Sequence, residues 1–300
     1  MDKESKFNKN YLNKDIKKSF LQKKNINFWE DNPMTYDWAE DKPKKVDLNF
    51  FKRIDKRFTD TIQKIFDNKK NFIENFIKKE ELKKLNVLEI GTGMGCHSEI
   101  LSKNSKKFTG IDITNAATKI TKKRFKIKKI KSLIYKMDAE KLTFKKNTFD
   151  LIWSWGVIHH SSNTEKILNQ IYRVLKPGGK AVIMIYYKSW WSYYIFGFFF
   201  YGILKRDFLR HKSIFDIMNS RSDGAIARFY SIEEWNFLIK SKKLNIEYNK
   251  IYGQKSDIFP IPNGKIKKLL ISLTPSFIFK IFITKLSMGS FLVSSIKKSN

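Results

Sequence analysis

The stretch Asn86-Val87-Leu88-Glu89-Ile90-Gly91-Thr92-Gly93-Met94-Gly95 decides how this chain is read. A short apolar strand runs straight into glycines at alternate positions, and His97 to Asn104 beyond them reads as a helix. Glycines at 91, 93 and 95 let the backbone turn tightly and approach a ligand without Cβ clashes. They also aim amides and the next helix N-terminus at that ligand. The dinucleotide fingerprint places its glycines at the first, third and sixth positions, but the sixth position here is Cys96. Glu89, two residues before the first glycine, would repel a pyrophosphate. It suits a cationic amino group, held directly or through water.

Outward from this loop the period stays that of strands alternating with helices. Lys107 to Asp112 is a second strand, and Thr114 or Asn115 caps a helix over 116–125. Strands follow at 132–137 and 149–153. A helix over 164–175 carries Ile167, Leu168, Ile171 and Val174 on one stripe and is stopped by Pro177-Gly178-Gly179. Lys180 to Tyr187 is a fifth strand. Such alternation predicts βαβ units and a parallel sheet. Asp112 lies 21 residues beyond Gly91, where an acidic side chain accepts from both ribose hydroxyls; the plainer alternative is a helix-entry cap. Asp138-Ala139-Glu140 places a carboxylate where an adenine amino group would sit. That chemistry favours S-adenosyl-L-methionine, which carries an ammonium and a sulfonium and no phosphate, as the expected cofactor.

Val87 to Gly95, Gly110-Ile111-Asp112, Met137 to Glu140, Phe149 to Ile152, Gly156 to His160 and Arg173 to Gly179 together resemble the class I S-adenosylmethionine-dependent methyltransferases. The likeness is to the bacterial type 11 group that includes quinone-biosynthesis methyltransferases. It implies an α/β fold, Rossmann-like and doubly wound, with a mostly parallel seven-stranded sheet. The expected additions are an N-terminal helical extension or lid (1–84) and an aromatic-rich insert or substrate lid (188–230). A core over 85–187 and a C-terminal part (231–300) completing the sheet account for the rest. The resemblance also implies that Glu89, Gly91, Gly93 and Gly95 form the methionine-side loop and that Asp112 binds the ribose. Ile113 then packs on the adenine, Asp138 and Ala139 contact its edge, and Ser154 and Trp155 line the methyl-transfer side. Trp155 is bulky for that place and could shape the acceptor pocket instead.

Methyl transfer is an in-line displacement that needs alignment first and a base only when the acceptor demands one. His159 and His160 follow the fourth strand at the carboxyl edge of the sheet, where open α/β sheets bind ligands. Either could be a base, with His160 preferred; the alternative is packing under the next helix. Trp29, Arg221 and Tyr230 are candidate acceptor contacts, though Asp223-Gly224 also reads as a turn. Cys96 starts a helix whose dipole lowers a thiol pKa, but no base motif accompanies it, so it reads as a small loop residue.

Sixty basic against 29 acidic residues give a net charge of +31, and only eight of the sixty are Arg. Arg is the residue that reads phosphate and guanine bidentately, so the lysine excess reads as compositional bias on a solvated surface. A nucleic-acid methyltransferase is the competing reading, opposed by Trp153-Ser154-Trp155-Gly156 where an Asn/Asp-Pro-Pro-aromatic motif would stand. A non-catalytic scaffold keeping the fold is a third. The expected acceptor is a small, hydrophobic or lipid-like molecule, with no obligate protein partner and no metal. One cysteine rules out an internal disulfide and a multi-Cys zinc site. The first 27 residues lack the apolar segment of a signal peptide, so the expected setting is cytoplasmic with peripheral membrane contact. Phe28 to Pro33 reads as a turn-rich stretch. Ser189 to Leu204 is uncharged for 16 residues, about 24 Å as a helix, and too short for a roughly 30 Å hydrocarbon core. It could be a lid, ordinary core or an interfacial helix, the first two being preferred.

Overall fold

In a computed structural model, residues 18–36, 45–66, 72–259 and 264–299 are described. Helices α1 (Lys18–Asp31), α2 (Leu48–Phe66) and α3 (Lys79–Leu82) precede the sheet. The alternating part consists of β1 (Asn86–Ile90), α4 (Cys96–Asn104), β2 (Lys107–Asp112), α5 (Asn115–Ile127), β3 (Leu133–Lys136), β4 (Phe149–Trp155), α6 (Thr164–Val174) and β5 (Leu175–Tyr187). A π-helix (Trp190–Leu204) and α7 (Ile214–Ser220) form an insert, followed by β6 (Phe229–Tyr230) and α8 (Ile232–Lys240). β7 (Leu244–Tyr252), α9 (Lys265–Leu273), α10 (Ser276–Lys280) and β8 (Phe291–Lys298) finish the chain.

The sheet order is β3-β2-β1-β4-β5-β8-β7, with the two-residue β6 on β5. β1 to β5 run parallel, and β8 is antiparallel to both β5 and β7. Strand order reverses between β1 and β4, and ligands in such sheets sit at the carboxyl end of that switch point. The glycine loop leaves β1 and Trp155 to His160 leave β4 at this very place. Each central strand is apolar on both faces because helices cover both. One buried cluster joins Leu88, Ile152 and Ile183 to α6 and α8. The other joins Val87, Leu151 and Val182 to α2 and α4.

Several local departures from the sequence reading have physical causes. α1 continues through Phe28 to Asp31, because Pro33 restricts only the residue before it, Asn32. Phe7, Tyr11, Leu12 and Ile16, whose spacing suggested an earlier helix, and Pro43 lie outside the described residues. β5 starts at Leu175, ahead of Pro177-Gly178-Gly179, with a register shift opposite Phe149 and Leu151 absorbing the irregular backbone. Residues 265–296 hold helices and a strand together. β8 is almost wholly buried despite Ser294 and Ser295, since Ser294 accepts from Trp235 Nε1 (2.9 Å) and donates to Asn249 (2.6 Å).

Arg124 belongs to a Lys-rich run expected on the surface, yet it is 2% exposed. Its guanidinium pairs with Asp55 of α2 and Glu99 of α4 (2.8 Å to Glu99), and Lys128 bridges the same two carboxylates. A buried guanidinium is stable only with such partners. This one ties α2 to α4 and α5.

Candidate active site

A cavity of about 560 Å³ opens at the switch point. Its floor is the glycine loop: Gly91 adopts φ +85°, and a Cβ there would meet Val157 at 2.3 Å, so the β1 and β4 loops close together only around glycine. Gly93 N–H donates to Asp112 Oδ2 (3.1 Å), while the backbone N–H and hydroxyl of Thr114 donate to Oδ1 (3.0 and 2.8 Å). Thr114, not Asp112, caps α5. Burial raises the Asp112 pKa against these hydrogen bonds.

The roof is N-terminal. α1 contributes Gln22, Asn25 and Trp29, and α2 contributes Phe58, Ile62 and Ile65. Gln22 donates to Asp138 Oδ2 (3.1 Å) and accepts from Ser162 N–H (3.1 Å). Glu30 accepts from the N–H groups of Asn115 and Ala116 (2.7 and 3.0 Å), placing a carboxylate on the exposed donors of α5. No residue of the aromatic run from 189 to 204 lines the cavity, so the run is not its lid. Nor is it core: among its aromatic and aliphatic side chains only Tyr193 is buried. The insert reaches the cavity through Asp223 instead.

Of the residues singled out from sequence, Gly91, Gly93, Asp112, Ile113, Asp138, Ala139, Trp155, His160 and Trp29 line this cavity. The others do not. Glu89 is 2% exposed behind the loop, where Ser98 Oγ donates to it and burial raises its pKa well above the carboxylate range. Gly95 packs against Thr121 and Arg124 at the start of α4. Ser154 precedes Trp155 in β4, and successive strand residues point to opposite faces; its hydroxyl is buried away from the cavity without a hydrogen-bond partner. Tyr230 lies in the core beside Trp235 and donates to Thr164 (2.9 Å). Arg221 pairs with Asp207 and stacks on Tyr201 (4.0 Å), so it holds the insert together. Glu140 receives Ser161, Ser162 and the Asn163 N–H, fixing the loop after β4.

The two histidines separate cleanly. His159 is fully buried against Tyr186 (4.0 Å) and His160 (4.1 Å), with neither ring nitrogen hydrogen-bonded; burial depresses its pKa far below the ordinary value. His160 lines the cavity beside Trp29 (5.1 Å). Its Nδ1 lies 2.7 Å from the Ile226 carbonyl, which accepts only and so fixes the proton on Nδ1 and the lone pair on Nε2. Burial lowers its pKa, with the Asp223 carboxylate opposing. Asp223 is also hydrogen-bonded to the Tyr186 hydroxyl, whose pKa burial and that carboxylate push well up.

Further lining residues escaped the sequence reading. His97, the second residue of α4, accepts from Trp153 Nε1 (3.0 Å) and sits among Phe58, Phe72 and Trp155; burial drops its pKa to about 3. Tyr186 ends β5 at the carboxyl edge, a position that could have flagged it. Asn25 Oδ1 and Thr92 Oγ1 are buried without partners, and both residues line the cavity. Cys96 is a buried thiol with its pKa pushed up to about 12, since burial outweighs the helix dipole.

Residues 88–183 match the family model of a methyltransferase domain. Phosphoethanolamine N-methyltransferase 2 of Caenorhabditis elegans is 33% identical over 106 residues, covering 35% of this chain and 24% of that protein. The ubiquinone/menaquinone biosynthesis C-methyltransferase UbiE of Zymomonas mobilis is 29% identical over 164 residues, 52% of this chain and 65% of the relative. The first curated relatives are matched over 24% to 40% of their own length. A SAM-dependent methyltransferase from Methanosarcina mazei superposes with a TM-score of 0.50 at 17% identity, covering 77% of this chain and 98% of that one, a likeness of fold. The matched segment is the parallel core from β1 to β5, the part that builds the glycine loop and the switch point. Over that segment this chain is similar to methyltransferase domains, in sequence and in fold.

Proposed function

We propose that this chain binds S-adenosylmethionine in the cavity and passes its methyl group to a small, apolar acceptor. One observation carries the reading: Asp112, Asp138 and Asp223 line the cavity, and among the described residues no Lys or Arg does, in a chain of net charge +31. A wall of that charge suits a cation and repels phosphate. The volume lies within the range of small-molecule sites.

The residues present fit such a cofactor. Asp112 offers a carboxylate to ribose hydroxyls, and Gly91 and Gly93 leave room for close approach. Ile113 would pack on the adenine, with Asp138 and Ala139 at its edge. The orphaned Asn25 Oδ1 and Thr92 Oγ1 would gain partners from a polar ligand. Glu89 would act from behind the loop: burial, helped by the Asp112 carboxylate, holds a proton on it, and a nearby cation would favour its release. Bound there, S-adenosylmethionine supplies an electrophilic methyl on a sulfonium.

The acceptor half is the apolar one. Phe58, Ile62, Ile65, Trp155 and Met184 exclude water and hold a flat or aliphatic acceptor, and relatives named for sterol and quinone methylation fit such an acceptor. His160, neutral with its lone pair on Nε2, is the group suited to take a proton from the acceptor. Tyr186 and Asp223 beside it fix its surroundings. His159, enclosed by rings, has no part in this step.

Calorimetry tests the reading. Purified protein should bind S-adenosylmethionine and S-adenosylhomocysteine, and Asp112→Ala should weaken both by at least about tenfold, the worth of a charged hydrogen-bond partner. Absence of binding by the wild type, or equal binding by the variant, refutes it.

A further inference from the structure

Away from the cavity, the π-helix and α9–α10 expose apolar side chains that nothing among the described residues covers. In the π-helix Trp190, Tyr194, Ile195, Phe198, Phe199 and Ile203 are exposed, at steps of four and five residues. Hydrogen bonding from i to i+5 gives the helix that same repeat, so these side chains form one face. Tyr193, Gly197 and Gly202 are buried on the opposite face, and Gly197 receives Met218 and Ile214 of α7. In α9, Ile266 (72% exposed), Leu269 and Leu273 (69%) recur at three and four, and none of the helix is buried. Phe277 and Ile281 continue the stripe. The two faces adjoin: Trp190 Nε1 donates to the Leu286 carbonyl (2.7 Å), and Trp191 packs on the Phe279–Ile283 cluster.

The charge around this surface has one sign. Lys205, Arg206 and Arg210 stand exposed at one end, and Lys265, Lys268 and Lys285 on the other element. Residues 264–286 contain five Lys and no Asp or Glu. Asp207, the one acid between 188 and 212, is taken by Arg221. Contiguous exposed apolar surface marks an interaction site. Among the described residues no helix is long and apolar enough to cross a membrane.

From this juxtaposition we propose that the π-helix and α9–α10 form a docking face that lies on an anionic lipid bilayer. Aromatic and aliphatic side chains enter the interface while the lysines and arginines reach the headgroups. Anionic lipid is the occupant that matches both halves of the surface. A second copy of this chain would bring like charge to like, at +31 apiece.

Vesicle flotation tests the proposal, using phosphatidylcholine alone and phosphatidylcholine with phosphatidylglycerol. The full chain should float with anionic vesicles at low salt and much less with neutral ones. Replacing Phe199 and Leu273 with Ser should lower the partition by at least about tenfold. Replacing Lys205, Lys265 and Lys268 with Gln should lower it by roughly a hundredfold, at about fivefold for each cation near an anionic surface. All five positions are exposed, and unchanged far-UV circular dichroism verifies that the variants fold. Absence of flotation overturns the proposal, as does flotation unaffected by the Ser variants or equal on neutral vesicles. Self-association of the wild type that the Ser variants abolish, without vesicle binding, assigns the face to a second copy and also overturns it.

Discussion

Replacing Glu30 with Ala should loosen the roof over the cavity without touching its floor. The carboxylate is the link by which α1 grips the first turn of α5, through N–H groups at 2.7 and 3.0 Å. A hydrogen bond to a charged group contributes about 1.5–3 kcal/mol where it is sheltered, and a carboxylate at a helix N-terminus about 0.3–1 kcal/mol where it is exposed. Glu30 is half-exposed, so about 2 kcal/mol for the pair is the reasonable middle, roughly a thirtyfold rise in the open fraction of the roof. Glu30→Gln keeps an acceptor and loses the charge, and should cost about half as much. Hydrogen exchange read at amides 20–31 should accelerate in that order, while β1 and β4 amides keep their protection. Affinity for S-adenosylmethionine should fall in the same order, because Gln22, Asn25 and Trp29 move with α1. If exchange at 20–31 and affinity both stay at wild-type values in Glu30→Ala, α1 is held by other contacts and the argument fails.

His97 makes the fold acid-sensitive: its ring refuses a proton down to about pH 3 when folded and takes one near 6.5 when unfolded. Stability is therefore full above 6.5 and declines below it, by about 2 kcal/mol at pH 5; urea melts should show a flatter pH dependence in His97→Gln, and parallel curves would contradict this. His160→Asn should lower kcat about a hundredfold with cofactor affinity retained. It should also remove the acidic limb of the rate profile, which in wild type falls below the ordinary histidine range because burial lowers that pKa; a preserved limb excludes His160 as the base. Tyr230→Phe should cost about 1 kcal/mol in a thermal melt through its lost bond to Thr164 and leave the acceptor KM unchanged, whereas a raised KM would return Tyr230 to the site.

The parallel core was legible because its strands are short, continuous apolar runs bounded by Gly, Pro or Asp, which run length and turn chemistry detect directly. The ends were harder for opposite reasons. β8 hides behind Ser294, Ser295 and Lys298, whose partners come from distant segments: Trp235 and Asn249 for Ser294, Glu247 for Ser295 and Asn147 for Lys298. α1 carries on past the point where Pro33 seemed to forbid it. At the site, position relative to the loop was readable and side-chain direction was not. Ser154 and Trp155 are neighbours on one strand, and one residue decides which meets the cavity. His159 and His160 differ through the Ile226 carbonyl, 66 residues on. Tertiary contacts of that kind leave no local mark, and neither do the partners that withdraw Arg221 and Tyr230 from the acceptor side.

Trp153 and Trp155 lie with ring planes 8° apart and centroids 5.5 Å apart, the first bonded to His97 and the second facing the cavity. The chain thereby carries an optical reporter at the place where an acceptor would rest. A ligand settling against Trp155 changes the surroundings of one indole of a stacked pair, and titrating its emission follows occupancy with no label attached. Trp190, far away on the exposed face, answers to a different event, so single Trp→Phe replacements would let the two be watched separately.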